Sequence, residues 1–493
     1  MKRILRAALV VGTSSLVVVA LGALRHKFIA LGVGAEGVGA LGILASTANL
    51  GVVLFSVGLN TSGVQSVAAA ARDPDALARV RAGLLRGSMW LATLGGILAV
   101  AGGLVWSAAQ PGGAFDPVIA VALGITLSSM VLSGAQLALL NGMGRVGLLA
   151  VCNSVGAVVG TAATIAALQF SGQAGIVAAL AVAPLATAVC SSWFVLRLRD
   201  RSQRVLMRMW MPEFRGMASV GGMVMLGLIV TSATQLGVRL WIEDRQGIAA
   251  AGQFQAVWTI TTLYMGFVLS ALAAEYFPRI SAEATETRRL NRSVDVQVRV
   301  ALLLAWPVLL WLIVLARFVL ELLYSAEFDL AAGLLRWQLV GDVLKIVGWA
   351  VAFLLLARKA RVSFFIGEMV FNATYLVGVV ALPGEGLSRL GIAYGCAYGV
   401  YVAVLLVLAF RETRFRVSVR TSLLLAMVLV FALGAAWAME TGSIVGVYVA
   451  TALAAVGTVV ALCLLQLMRV AERREEQSQL EEPRSPSTAD RLG

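Results

Sequence analysis

The sequence predicts an all-α integral membrane protein with about 14 transmembrane helices, and three observations predict it. The first is composition. Of the 493 residues 60% are hydrophobic and only 13% charged, against about 25% charged in soluble domains. The second is run length. Met89–Val105, Val118–Leu140 and Leu423–Ala438, with their flanks, approach 20 apolar residues or more; about 20 make a spanning helix, whereas a barrel strand needs about 10 that alternate. Backbone polar groups find no water in hydrocarbon, so only helices or closed barrels span it, and the run length selects helices. The third is charge placement. The net charge of +13 falls in the breaks between apolar runs, as in cytoplasmic loops, and not in a basic patch suited to nucleic acid.

The elements follow in order. The first span, 6–28, comes after Lys2, Arg3 and Arg6 and ends on Arg25 and Lys27. A basic start before an apolar run also opens signal peptides, but this run is long and no A-x-A site ends it, so an uncleaved helix is expected. Glu36 marks an outer loop before span 38–68; Arg72, Arg79, Arg81 and Arg86 mark an inner one around the start of span 84–108. Asp116 opens 116–140, Arg145 separates it from 146–168, and a short break leads to 174–196. The connector 197–216 carries Arg197, Arg199, Arg201, Arg204, Arg208 and Arg215. Val205, Leu206, Met209 and Trp210 interleave with these arginines, which suits either an amphipathic helix in the inner interface or an ordinary basic connector. Span 217–240 ends at Glu243 and Asp244, and 249–274 at a basic break holding Arg279, Arg288, Arg289 and Arg292. Span 297–323 leads to Glu327 and Asp329, and 331–357 to Arg358, Lys359 and Arg361. Span 362–382 leads to Glu385, and 389–410 to Arg411, Arg414, Arg416 and Arg420. Spans 420–438 and 443–468 flank Glu440, and the charged, Pro/Ser-containing stretch 469–493 reads as a disordered cytoplasmic tail. This alternation puts basic residues inside under one assignment, with both termini cytoplasmic.

A faint repeat supports two six-helix halves. Gly37-Val38-Gly39-Ala40-Leu41-Gly42 and Gly247-Ile248-Ala249-Ala250-Ala251-Gly252 each follow an acidic break, 210 residues apart, and duplication of this kind is a common transporter plan. The predicted organisation is a lobe over 1–196, the linker 197–216, a lobe over 217–411, two extra helices over 412–468, and the tail. Catalytic chemistry is missing. No G-x-x-x-x-G-K-[ST] occurs, the outer loops are too short for an enzyme site, and one histidine, His26, stands near a helix end. Cys152, Cys190, Cys396 and Cys463 lie singly, so neither a disulfide framework nor a metal site is expected, and no cofactor is expected either.

Charges within apolar spans are costly and mark candidate sites. Arg25, Lys27 and Arg239 stand toward outer helix ends, where snorkelling to headgroups is the alternative. Arg317 and Glu321, four apart, suggest a local ion pair. In Arg336-Trp337-Gln338-Leu339-Val340-Gly341-Asp342-Val343-Leu344-Lys345, Asp342 lies roughly 16 Å from the helix start at about 1.5 Å per residue. Asp342 and Lys345 share a face with Gln338 and can pair, as a buried structural pair or as a polar wall of a cavity. Glu368 needs a cation or a proton, and Lys345 or Arg336 is the expected partner.

The run from Trp337 to Lys345 resembles a motif of Wzx-type flippases of the multidrug/oligosaccharidyl-lipid/polysaccharide exporter superfamily. Further positions resemble the family in matching order: Lys27 with Gly32-Val33-Gly34-Ala35-Glu36-Gly37-Val38-Gly39, Arg239 with Gly252-Gln253-Phe254-Gln255-Ala256-Val257, Phe277-Pro278-Arg279-Ile280-Ser281, and Glu368. The resemblance covers about 1–411. It implies two six-helix lobes in a V around a cavity that opens alternately to each side. It implies, as substrate, an undecaprenyl-diphosphate-linked oligosaccharide repeat unit for O-antigen or another surface polysaccharide, moved across the bacterial inner membrane among membrane lipids. A polysaccharide polymerase and a chain-length regulator are partners compatible with it. On this view Arg25, Lys27 and Arg239 contact the substrate anion, and Asp342, Lys345 and Glu368 serve gating or ion coupling. A cation-coupled multidrug exporter would commonly carry a carboxylate in an early helix, and the first span has none. A lipid II flippase remains an alternative of the same superfamily, and a membrane-embedded polymerase or ligase one of another class.

Topology is directly measurable. Reporter fusions at positions 200, 290 and 480 should report cytoplasm, and fusions at 113, 245, 328 and 441 the opposite side. A C-terminal fusion reporting the opposite side would refute the count of 14.

Overall fold

A computed structural model describes residues 2–109, 117–198, 210–384 and 386–481. Most of the basic connector, 199–209, and the end of the tail, 482–493, lie outside the described residues. Every regular element among the described residues is helical: α1 (Lys2–Ser56), α2 (Leu59–Ala70), α3 (Pro74–Ala109), α4 (Pro117–Gly142), α5 (Val146–Leu168), α6 (Gly172–Arg197), α7 (Trp210–Gln246), α8 (Ile248–Ala282), α9 (Thr287–Val314), α10 (Ala316–Leu323), a 3-10 turn (Ala326–Phe328), α11 (Ala331–Ala357), α12 (Arg361–Ala381), α13 (Ser388–Thr413), α14 (Val419–Glu440) and α15 (Ile444–Glu481).

Twelve helical segments of the described residues are long and apolar enough to cross a membrane. The chain is a multi-pass, all-helical membrane protein. Twelve and 14 reconcile at two places. The first segment, Leu16–Ser56, is 41 residues long and takes up the first predicted span and most of the second. The outer loop expected around Glu36 is reduced to a single non-helical residue, Gly34, with φ 63° and ψ −166°. That conformation is open to glycine and costly for side-chain residues. The second place is α8, 35 residues long, which is not among the twelve. The predicted 297–323 span is likewise interrupted, at Leu315, between α9 and α10. At the other end, α15 runs on as helix to Glu481, into the segment whose composition suggested disorder.

The chain forms two compact units, each drawn from several stretches. The first comprises 1–263, 317–332 and 372–387; the second comprises 264–316, 333–371 and 388–493. In the first, helices meet where side chains are small. A Cβ on Gly39 would collide with the Ile248 carbonyl oxygen, and one on Gly252 with the Ala35 carbonyl oxygen. The two members of the sequence repeat therefore pack directly on each other, backbone to backbone. Gly96 of α3 meets Ser128 and Gly124 of α4 in the same manner, and Gly160 of α5 meets Ala183 of α6. In the second unit, α14 and α15 pack on α9. Trp306 is fully buried and meets Phe431 edge-on at 5.4 Å, and Gly457 lies against Leu310 and Trp306. Asp295 of α9 accepts from the Ser418 amide at 3.0 Å and hydroxyl at 2.8 Å, which fixes the start of α14.

Glycine crossings of this kind make a stability prediction. Gly39→Val and Gly252→Val each push two backbones apart, an overpacking that costs about 1–3 kcal/mol. Gly102, with open space around it, serves as the control, because Gly102→Ala adds no clash. Thermal unfolding in detergent should show both valine variants melting below wild type and the alanine variant at or above it, since Ala is the better helix former. Comelting of all three would refute the crossing as a determinant of stability.

Candidate functional site

Two groups of polar side chains stand out, one in each unit. In the second unit, α11 is the most enclosed of the spans. Its residues Gln338, Gly341, Asp342, Lys345 and Gly348 recur at helical spacing on one face. Gly341 and Gly348 let α13 close in: a Cβ on Gly341 would lie 2.7 Å from the Tyr394 ring, and one on Gly348 2.6 Å from the Tyr401 ring. This approach delivers Tyr394 to the carboxylate, and α8 supplies Tyr264. Tyr394 Oη donates to Asp342 Oδ1 at 2.9 Å, and Tyr264 Oη to Oδ2 at 3.2 Å. Lys345 Nζ lies 3.9 Å from Oδ1 and donates to Tyr394 Oη at 3.2 Å. The Tyr394 hydroxyl thus sits between ammonium and carboxylate, accepting from one and donating to the other. Asp342 is wholly buried and Gln338 nearly so, so the expected shared face exists and it is enclosed.

Glu368 belongs to the same neighbourhood. It accepts from Tyr401 Oη at 3.3 Å, a phenol where the sequence suggested a cation. Lys345 is turned to Asp342 and Tyr394, and Arg336 donates to the Met439 carbonyl at 3.4 Å. Tyr394, Tyr398 and Tyr401 pack around Phe371 of α12, the closest pair being Phe371 and Tyr398 at 4.4 Å. Lys345 Nζ stands 5.9 Å from the centres of the Tyr394 and Tyr398 rings, within cation–π reach. Three of the chain's eight tyrosines therefore form one stripe on α13, at i, i+4 and i+7. That spacing was present in the apolar span 389–410 and marks the residues that sequence reasoning passed over.

The first unit holds the basic candidates. Arg239 of α7 is 2% exposed, so it does not snorkel. Its Nε donates to Gln255 Oε1 and its Nη1 to the Gln235 carbonyl, both at 2.9 Å. Its guanidinium carbon stands 5.3 Å from the Phe254 ring centre and 5.5 Å from that of Trp258. Gln255 passes the network on, donating to Thr259 Oγ1 at 3.1 Å. Lys27 Nζ donates to the Glu321 carbonyl at 2.7 Å, a cation at the carboxyl end of α10, where the helix dipole favours it. Arg25 is half-buried, with its Nε enclosed and unpartnered, and His26 stacks toward Tyr324 at 6.0 Å. Arg25 and Lys27 are thus neighbours on α1, while Arg239 has its own set of partners. The expected Arg317–Glu321 pair is replaced: Arg317 bonds Asp329 beyond the 3-10 turn, because the helix ends at Leu323 and the chain turns back. Among the described residues no group of three or more His, Cys, Asp or Glu is placed to hold a metal.

The Asp342 group is a coupled network, and coupling is measurable. Asp342→Leu leaves two hydroxyls without their acceptor and Lys345 without its counter-charge, and removing one partner of a buried pair costs about 3–5 kcal/mol. The lower figure applies, because the Lys345 side chain is 25% exposed. Asp342→Leu/Lys345→Leu should regain most of the lost thermal stability in detergent. A loss in the double variant equal to the sum of the two single losses would show that the two charges act independently.

Comparison with known proteins bears on this architecture. The sequence profile described as "Polysaccharide biosynthesis protein" matches residues 34–332. Lipid III flippase of Escherichia coli (strain K12) is 26% identical over 413 residues, covering 81% of this chain and 96% of that protein, and the Shigella flexneri protein of the same name gives the same figures. Among solved structures, Lipid II flippase MurJ in an inward closed conformation aligns with a TM-score of 0.65 at 10% identity, over 94% of this chain and 100% of that one. An inward-facing multidrug resistance MATE family transporter of the MOP superfamily aligns with a TM-score of 0.60 at 16% identity, over 82% and 95%. The fold is shared with these transporters. With more than half its length matched to one family profile, the chain belongs to the polysaccharide biosynthesis protein family.

Proposed function

We propose that this chain is a flippase of the MOP superfamily that carries an undecaprenyl-diphosphate-linked oligosaccharide across the bacterial inner membrane by alternating access. The observation that carries this reading is the alignment with the Lipid III flippases over 96% of their length. The physical chemistry is compatible. A diphosphate entering a partly dry cavity loses water contacts, and positioned cations offset that loss. Arg25, Lys27 and Arg239 are the cations assigned to it. Lys27 rests on a backbone carbonyl that an incoming phosphate can displace without stranding a charge. Arg239 is held from two sides and would present its remaining edge in a fixed orientation. Asp342, Lys345 and Glu368 are assigned to gating or ion coupling, since protonation of Asp342 would remove the charge that Lys345 and the two tyrosines face. The lobes over 1–196 and 217–411 are the moving bodies in this scheme, both termini lie in the cytoplasm, and the oligosaccharide serves a surface polysaccharide such as O-antigen.

Loss of the gene should leave lipid-linked repeat units on the inner leaflet and abolish the mature polymer. Complementation with wild type should restore it, and with Lys27→Ala/Arg239→Ala at equal membrane abundance it should not. Arg239→Lys at the same abundance separates charge from fork geometry. If deletion leaves single repeat units at the surface and only shortens the polymer, the chain is a polymerase and the reading fails.

A further inference from the structure

We propose that an open groove between α3, α4 and α6 is a binding site for the polyprenyl chain of the carrier lipid, with its phosphate end beside Arg197; this rests on the flippase reading above. Two adjoining cavities, of 470 and 680 Å³, share Thr93, Ser128, Ser129 and Leu185 and so form one trough. Their volumes fall in the range of ligand sites, about 300–1,000 Å³ each. The trough is built by packing and is not a surface irregularity. Its floor is the α3–α4 crossing, where Gly96 and Gly124 bring the backbones together and leave a low strip. Its walls are large and exposed, among them Met89, Ile97, Val189 and Trp193.

Three of the hydroxyls along the trough, those of Thr93, Ser128 and Ser192, are engaged within the protein. Thr93 donates to the Met89 carbonyl and Ser128 to the Ala92 carbonyl, both at 2.9 Å. Ser192 accepts from Gln136 at 2.8 Å. With these groups engaged inside the protein, the lining suits a hydrocarbon chain. Its charge is at one end. The Arg197 guanidinium lies 3.7 Å over the Trp193 ring, which orients the cation and leaves its N–H edges for an anion.

Length identifies the occupant. From Met89 to Leu104 the trough follows α3 for about 22 Å at about 1.5 Å per residue. One leaflet of hydrocarbon is about 15 Å deep, half of a core of about 30 Å. A phospholipid chain anchored at the Arg197 end stays within its own leaflet and leaves the far end empty. A polyprenyl chain is long enough to follow the trough past the midplane.

The test uses the full chain in nanodiscs of phosphatidylethanolamine and phosphatidylglycerol. Undecaprenyl phosphate carrying a diazirine in its chain is the probe, and labelled peptides are mapped by mass spectrometry. Labelling is expected in 89–104, 121–132 and 185–196, competed by plain undecaprenyl phosphate and not by added phosphatidylglycerol. Thr93→Phe/Leu185→Trp fills the trough from two exposed positions. It should cut labelling about tenfold, the effect of excluding about two methylenes. Arg197→Gln should weaken labelling by the phosphate probe and leave that by the uncharged polyprenol probe unchanged. Competition by phosphatidylglycerol would mean bilayer lipid only and overturn the proposal. Specific labelling confined to other helices overturns the groove and leaves the flippase reading intact. The absence of specific labelling anywhere, together with no transport of lipid-linked substrate, sinks both. If the filled variant fails to elute as a single species, the wild-type map and its competition decide alone.

Discussion

Close approach of helices at small residues is the interaction on which the rest of this protein depends. Between spanning helices there is little hydrophobic drive, because lipid tails are as apolar as the side chains they would replace. Association has to come from contact, and contact is closest where no Cβ intervenes. Gly39 against Gly252 joins the two repeat-related helix starts, and Gly341 against Gly395 joins α11 to α13. The chemistry follows from the second of these. Only because Gly341 admits α13 can the Tyr394 hydroxyl come within 2.9 Å of Asp342, and only then does a fully buried carboxylate have the donors it needs.

Polar satisfaction is the complementary demand, and it is met unevenly. Asp342 has two phenol donors and an ammonium nearby; Asp295 has the Ser418 amide and hydroxyl together with Arg299 at 3.4 Å. Other enclosed polar atoms go without a hydrogen bond, on α9 as well as around α1. Arg25 Nε, Gln253 Oε1, Gln297 Nε2 and Arg299 Nε are enclosed without a hydrogen bond, although Gln253 Nε2 does reach the Glu327 carbonyl at 2.7 Å. An enclosed orphan atom costs about 1–3 kcal/mol.

The membrane fold was legible because its signal lies within each helix. Twenty apolar residues between basic breaks declare a span whatever surrounds it. The face shared by Gln338, Asp342 and Lys345 was legible for the same reason, since it is set by helical spacing alone. What arrives opposite that face was not. The Tyr401 contact with Glu368 and the Gln255 contact with Arg239 depend on which helix packs where, and one sequence does not encode that locally. The Gly34 kink was read as a loop because its glycines and Glu36 resemble one. The Arg317–Asp329 pair was missed because spacing favoured Glu321, while the chain reversal after Leu323 brought Asp329 closer. The tyrosine stripe on α13 had a visible period but looked like ordinary apolar filling.

The fastening of α14 bears on how the chain is assembled. Its first residues are held by Asp295 of α9, and the Met439 carbonyl near its last turn receives a hydrogen bond from Arg336 of α11. Both anchors lie earlier in the chain than the helix they hold. During synthesis α9 and α11 therefore leave the ribosome first, and α14 finds both of its docking points already made. The α14–α15 hairpin is thereby added after them, onto a template, and its Ser418 cap, which already accepts from the Thr421 amide, meets Asp295 in place.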